Sequence, residues 1–145
     1  MTPSRKQTID DKLFRLNEYA KFIADAMRGK SDKDILDDTT LYTALEHMLQ
    51  LSMQIIFDIG AHILAEGFGV NPKTYEDIIV SLGENSVISK EFAASQSDMA
   101  KFRNKLVHDY DTINKEKVLI YAHEAPEVFF RFGKAFLDYI DKEKI

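Results

Sequence analysis

The sequence contains no cysteine, and it has little glycine or proline. Without a thiol the chain can form no disulfide, no thiolate nucleophile and no thiolate metal site. Only 6 glycines and 3 prolines occur among 145 residues, whereas 45% of the residues are hydrophobic and 30% are charged. This composition is typical of a compact, water-soluble and mostly helical protein with a real core. We therefore expect residues 1–145 to form one domain.

Long apolar runs are absent as well. No apolar run approaches the roughly 18 residues that a membrane span needs. The first eight residues contain no apolar stretch of the kind found in a secretory signal. The sequence therefore predicts a cytoplasmic protein, with neither a membrane nor DNA as its partner.

Apolar residues recur at steps of three and four along most of the chain, and no strand-like alternation competes. A first helix is predicted to begin at a cap formed by Thr8 and to stop at Gly29. Residues 31–38 form an acidic connector with room for one helical turn. A second, long helix follows and ends at Gly67 and Gly69.

The second half of the chain predicts three more helices. Thr74 can cap a short helix, Ser89 can cap the next, which should end near His108, and Asn114 can cap the last. Pro126 lies inside the last helix and should kink or split it. The pattern predicts an all-α fold, a four- to five-helix up-and-down bundle.

The most informative segment is residues 103–110, Arg-Asn-Lys-Leu-Val-His-Asp-Tyr. Arg103 keeps its charge at any working pH and presents a planar fork that fits phosphate oxygens. His108 can give or take a proton near neutrality. This pair suits the cleavage of a phosphodiester by the neighbouring ribose hydroxyl.

The pattern R-x4-H-x-Y resembles that of the HepT toxins in the HEPN superfamily of ribonucleases, and the similarity extends from about residue 10 to about residue 140. Arg103, His108 and Tyr110 fall on the family motif. Further blocks in the same order and spacing are residues 43–50, 58–63 and 72–76.

This resemblance implies a HEPN-like fold and a homodimer in which two motifs meet at a shared cleft. It implies a toxin of a type II toxin–antitoxin system, a metal-independent endoribonuclease that needs no cofactor. The partner of such toxins is an MNT antitoxin, a minimal nucleotidyltransferase, which transfers AMP from ATP to the motif tyrosine. In this sequence that tyrosine is Tyr110.

The chemistry of RNA cleavage assigns a role to each residue of the segment. His108 is the general base or acid, Arg103 stabilises the phosphate charge, and Asn104 orients a hydroxyl or the imidazole. Lys101 and Lys105 are candidate contacts to RNA phosphates. The expected products are a 2′,3′-cyclic phosphate and a 5′-hydroxyl, from mRNA or tRNA.

Helical geometry complicates this assignment. On a regular helix Arg103 and His108 point roughly 140° apart. They converge only if the helix ends between them or if a second subunit completes the site. Arg103 and Tyr110 are separated by seven residues and lie on one side if the helix continues that far.

The net charge of −5 counts against a long RNA-binding track. Residues 99–110 nevertheless carry Lys101, Arg103 and Lys105 against Asp109, a local balance of +2. The charge therefore favours brief capture of a short RNA segment.

Other polar and aromatic groups have two interpretations each. Asp58, His62 and Glu66 share a helix face and could bind a divalent ion, but a polar stripe on an amphipathic helix is the simpler explanation. The closely spaced phenylalanines of the last helix could stack on bases, but helical spacing favours a core role. They are Phe129, Phe130, Phe132 and Phe136, with Phe130 on a different face.

A different class of function also remains open. HEPN folds resemble nucleotide-binding and protein-interaction domains, so the chain could be a non-catalytic module or a scaffold for a nucleotidyltransferase. The acidic net charge fits that role, whereas the intact motif argues for the ribonuclease.

Overall fold

The computed structural model describes residues 5–143, apart from the side chains of Arg5 and Tyr110. Over this range the chain is helical and forms no strand. The helices are α1 (Arg5–Met27), α2 (Asp32–Asp37), α3 (Thr39–Phe68), α4 (Tyr75–Glu84), α5 (Lys90–Ser95), α6 (Met99–His108) and α7 (Lys115–Glu143), with a 3-10 turn at Tyr110–Thr112.

The bundle is built around α3, which contacts α1, α2, α4, α6 and α7, while α1 also packs along α7. Helices α2 and α5 have only six residues each, so five longer helices form the bundle and the predicted all-α fold is confirmed. Phe129, Phe132 and Phe136 are fully buried, as the core interpretation predicts. Phe130 faces outward.

The predicted caps at three helix starts are confirmed. The side chains of Thr74, Ser89 and Asn114 each accept a backbone N–H from the first turn of α4, α5 and α7, at 3.1, 3.0 and 2.9 Å. Gly69 ends α3 in the left-handed region at φ 65°, where glycine has no Cβ penalty. Short-range hydrogen bonding therefore sets these boundaries.

Two predicted boundaries are wrong. Thr8 does not cap α1, since the helix already includes Arg5. The helix that begins after Ser89 breaks at residues 96–98 into α5 and α6. Near this break the Ser95 hydroxyl donates to the Phe92 carbonyl at 2.7 Å, a local bond of the kind that competes with helical hydrogen bonding.

Pro126 does not split the last helix, because α7 is continuous from Lys115 to Glu143. Proline removes one backbone donor at this point. Its neighbours Ala122, Ala125 and Phe129 are buried in the core. Packing on both sides therefore holds the helix across the missing bond.

Helix α3 corrects the expectation about apolar runs. It contains an 18-residue window of mean hydropathy 1.4, which is long and apolar enough to cross a membrane by length and composition alone. In the structure 56% of that window is buried by the other helices. The apolar character is thus accounted for by the position of α3 at the centre of the bundle.

Candidate functional site

Helix α6 places four of the predicted site residues on one exposed face. Lys101, Asn104, Lys105 and His108 follow the three- and four-residue spacing of a single helix side, and all four are exposed. The opposite side of the helix carries buried apolar residues, among them Phe102. Because that apolar side packs into the core, the polar face of α6 is directed toward solvent.

Arg103 leaves this face and reaches toward α3 and α4. Its side chain is half-buried. One terminal nitrogen donates to Gln54 Oε1 at 2.6 Å, and the other donates to Asn104 Oδ1 at 3.2 Å. The guanidinium carbon lies 4.8 Å from the centre of the Tyr75 ring.

Among the described side chains, no carboxylate neutralises the charge of Arg103. Its two hydrogen-bond acceptors are amide oxygens, and the ion pairs found among the described side chains do not include it. Its Nε is buried without a hydrogen-bond partner. A half-buried cation held only by neutral groups is well prepared to receive an anion such as a phosphate.

His108 is the last residue of α6 and is exposed. Helix α6 is regular from Met99 to His108, so it does not end between the arginine and the histidine. The roughly 140° separation expected from the sequence therefore holds within one subunit. Asn104 lies between them: it accepts from Arg103 and precedes His108 by one helical turn.

Tyr110 follows the end of α6 and begins a 3-10 turn. Its side chain is outside the described part of the structure, so its predicted position beside Arg103 is not tested. Helix α6 ends before it, and the i,i+7 relation that assumed a continuous helix does not apply.

The polar stripe of α3 does not gather into a metal site. Within residues 5–143 no group of three or more histidine, aspartate or glutamate side chains is placed to hold a metal ion. Asp58 instead lies 3.3 Å from Lys12 Nζ and accepts from Gln54 at 2.8 Å. His62 lines a hollow of about 350 Å³ between α1 and α3.

Tyr121 supports α6 from behind. Its ring stacks on Phe102 at a centroid distance of 3.9 Å. Burial raises the pKa of the Tyr121 hydroxyl to about 12, and the carboxylates of Asp98 and Glu124 add to the increase. This tyrosine therefore stays neutral at working pH and serves packing.

The sequence did not indicate two residues that contact Arg103. Gln54 is 49 positions away from it, and no local pattern marks a glutamine on the side of a long helix as its partner. Tyr75 lies within one of the family-like blocks, the only hint available. His123 of α7 lies 2.8 Å from Asp32 of α2, a pairing that no local pattern indicates either.

Residues 16–135 match the model of a protein family described as ribonuclease HepT-like. A curated relative, the tRNA nuclease HepT of Aphanizomenon flos-aquae (strain 2012/KM1/D3), is 32% identical over 75 residues, or 52% of this chain. The matched segment spans 51% of that relative, about half its length.

Two solved structures have the same fold. The tri-AMPylated HEPN toxin of Shewanella oneidensis, in complex with an MNT antitoxin, aligns with a TM-score of 0.79 at 24% identity and covers 90% of this chain and 96% of its own. YutE of Bacillus subtilis, described as a cytosolic protein of unknown function, aligns with a TM-score of 0.80 at 18% identity, covering 99% and 95%.

Proposed function

This chain belongs to the HepT-like ribonuclease family, and from that premise we propose that it is the toxin of a toxin–antitoxin pair and a metal-independent endoribonuclease. The observation that carries the proposal is the state of Arg103. Its guanidinium is anchored by amide oxygens and an aromatic ring, and no carboxylate in the described part of the chain pairs with its positive charge. Such a cation is suited to a phosphodiester that gains charge during cleavage.

In the proposed reaction His108 either removes the proton of the ribose 2′-hydroxyl or protonates the leaving 5′-oxygen, and water accepts or supplies the other proton. The 2′-oxygen attacks the phosphorus, the bond to the 5′-oxygen breaks, and the products are a 2′,3′-cyclic phosphate and a 5′-hydroxyl. Arg103 binds the phosphate oxygens throughout. Asn104 helps to orient the reacting groups, and Lys101 and Lys105 contact neighbouring phosphates on the exposed face of α6.

The site is proposed to be completed by a second copy of the chain. Arg103 and His108 diverge on an unbroken helix, so one subunit alone presents them to different sides. A two-fold homodimer that pairs the exposed α6 faces offers the histidine of one subunit to the arginine of the other.

Regulation is proposed to act through Tyr110. A cognate MNT antitoxin would transfer AMP from ATP to its hydroxyl and release pyrophosphate, and the bulky anionic group would obstruct the cleft and occupy Arg103. Support comes from the Shewanella oneidensis relative, whose HEPN toxin is AMPylated and bound to an MNT antitoxin.

The test is cleavage of labelled total RNA and transfer RNA by purified protein in EDTA. We expect cleavage by the wild type, and a loss of roughly a hundredfold or more in His108→Ala and in Arg103→Ala, given the usual size of acid–base and charge-stabilising effects. His123→Ala is the matched control, because His123 is an exposed histidine of α7 that pairs with Asp32 of α2 and is not one of the proposed site residues.

Intact mass of the same samples establishes whether AMP is already attached. Wild-type cleavage that needs an added metal ion would contradict the proposal, as would full activity in either site variant. If unmodified protein cleaves no RNA, the non-catalytic module or scaffold becomes the better explanation.

A further inference from the structure

Arg103 of α6 donates to Gln54 of α3, which is held by Asp58 one turn later in α3, and Asp58 in turn pairs with Lys12 of α1. Gln54 Oε1 accepts from the Arg103 guanidinium at 2.6 Å, and Gln54 Nε2 donates to Asp58 Oδ1 at 2.8 Å. Lys12 Nζ lies 3.3 Å from the other oxygen of Asp58. The chain of contacts runs from α1 through α3 to α6.

The two neighbours of Gln54 demand the same orientation of its amide. The Arg103 guanidinium has only donors, so it must face the amide oxygen, and the carboxylate of Asp58 has only acceptors, so it must face the amide nitrogen. A flipped amide would place donors against donors and acceptors against acceptors. Asp58 therefore fixes the direction in which Gln54 receives Arg103.

Tyr75 restrains the guanidinium from a second direction. Its ring stacks on Phe57 at 4.7 Å with an interplanar angle of 15°, and the Arg103 guanidinium lies over the same ring, 4.8 Å from its centre. Phe57 is buried in the core. The ring is therefore a fixed platform, and Arg103 gains cation–π attraction without losing its charge.

The negative charge of Asp58 is paired with Lys12 and does not contact Arg103 directly. Lys12 pairs with Asp58, while the neutral Gln54 stands between that pair and the guanidinium. A carboxylate in direct contact would hold Arg103 equally well, but it would compete with the phosphate for the same donors.

We propose that Gln54 is a positioning residue, which sets the direction of the Arg103 guanidinium while leaving its charge available to the substrate phosphate. Asp58 and Lys12 orient Gln54, and Tyr75 supports the guanidinium plane. This inference rests on the proposed role of Arg103 in RNA cleavage.

The kinetic test compares wild type with Gln54→Leu, Gln54→Glu and Gln50→Leu on one defined RNA. Gln54→Leu removes the acceptor, and we expect kcat to fall between roughly tenfold and a hundredfold, since small misplacements of a catalytic group have effects of this size. Gln50 is also a half-buried glutamine of α3, one turn earlier and outside the chain of contacts. Gln50→Leu should keep the wild-type kcat.

A second readout follows Arg103 without using RNA. In nuclear magnetic resonance the terminal N–H groups of Arg103 should give separate signals in the wild type and in Gln50→Leu, because the hydrogen bonds slow rotation of the guanidinium. Those signals should merge in Gln54→Leu. In Gln54→Glu the signals should stay separate, because the new carboxylate still orients the arginine. Cleavage should nevertheless fall at least tenfold, because that carboxylate forms an ion pair with Arg103 and competes with the substrate phosphate.

Each result decides a different question. Wild-type protein that carries no AMP and cleaves no RNA would refute the proposed function, and the Arg103 signals would still test the positioning. Gln54→Leu with wild-type kcat or with unchanged Arg103 signals would overturn the inference.

If Gln54→Leu fails to fold, Asp58→Asn takes its place. This variant keeps the size of the side chain but no longer dictates the orientation of the Gln54 amide, so the Arg103 signals should broaden.

Discussion

At the scale of single residues, Arg103 shows how a cation can be fixed without being neutralised. Its contacts to Gln54, Asn104 and Tyr75 supply hydrogen bonds and an aromatic surface but no negative charge. The sequence motif identifies this arginine, whereas the surrounding groups in the fold decide whether its charge is paired with a carboxylate.

Burial raises the pKa of three described tyrosine hydroxyls, and the increase is largest at Tyr42 and Tyr121. Burial raises the pKa of Tyr42 to about 12, with the Glu46 carboxylate contributing, and burial likewise raises the pKa of Tyr121 to about 12. Both groups start from the ordinary value of 10.0. Above that pH the unfolded chain releases protons that the folded chain still holds.

The free energy of unfolding should therefore fall as the pH rises from about 10 to about 12, and this part of the stability should be intact below pH 10. Urea unfolding followed by circular dichroism across that range measures the slope. The double variant Tyr42→Phe with Tyr121→Phe lacks these two hydroxyls, so its slope should be shallower. Equal slopes in the two proteins would show that these tyrosines do not carry the effect.

At the scale of helices, α4 and α5 approach so closely that a side chain is excluded. A Cβ added at Gly83 would lie 2.7 Å from the Ala93 Cβ, which is too close for two rigid methyl groups. At Gly133 in α7 the nearest atoms would be 3.8 Å away, an ordinary contact.

Gly83→Ala should thus destabilise the protein by about 1–3 kcal/mol through overpacking. Gly133→Ala is the matched control, and it should be neutral or stabilise by up to about 1 kcal/mol, because alanine favours a helix interior over glycine. Chemical denaturation of both variants gives the comparison. A Gly83→Ala protein as stable as the wild type would mean that α4 and α5 separate at little cost.

At the scale of the whole molecule, the proposed site depends on assembly. The arginine of α6 turns toward α3 and α4, and the histidine ends the exposed face of the same helix. A cleft that uses both side chains would then combine Arg103 of one subunit with His108 of the other.

Mixing the variants Arg103→Ala and His108→Ala tests this arrangement. Each variant should be inactive alone, but equal amounts allowed to exchange subunits should form mixed dimers in half of the population, and each mixed dimer has one intact site of two. Activity should return to about a quarter of the wild-type value for a two-fold dimer. No recovery despite confirmed exchange would place the arginine and the histidine of each site in one subunit.

Local sequence rules explain the parts of the fold that were predicted correctly. The apolar spacing of α1, α3 and α7 and the caps at Thr74 and Ser89 depend on residues within one or two turns of each other. The break between α5 and α6 was missed because the apolar pattern continues across it. The expectation that Pro126 splits the last helix was wrong because the effect of a proline depends on the tertiary packing around α7.

The sequence by itself determined the helical fold class, the family and the candidate residues Arg103, Asn104 and His108, because short-range spacing and an ordered motif carry that information. Only the tertiary structure brought Gln54 and Tyr75 to the arginine, since these contacts join α3, α4 and α6 across distant parts of the chain. The environment that leaves the cation uncompensated arises where those helices meet, and no local pattern encodes it.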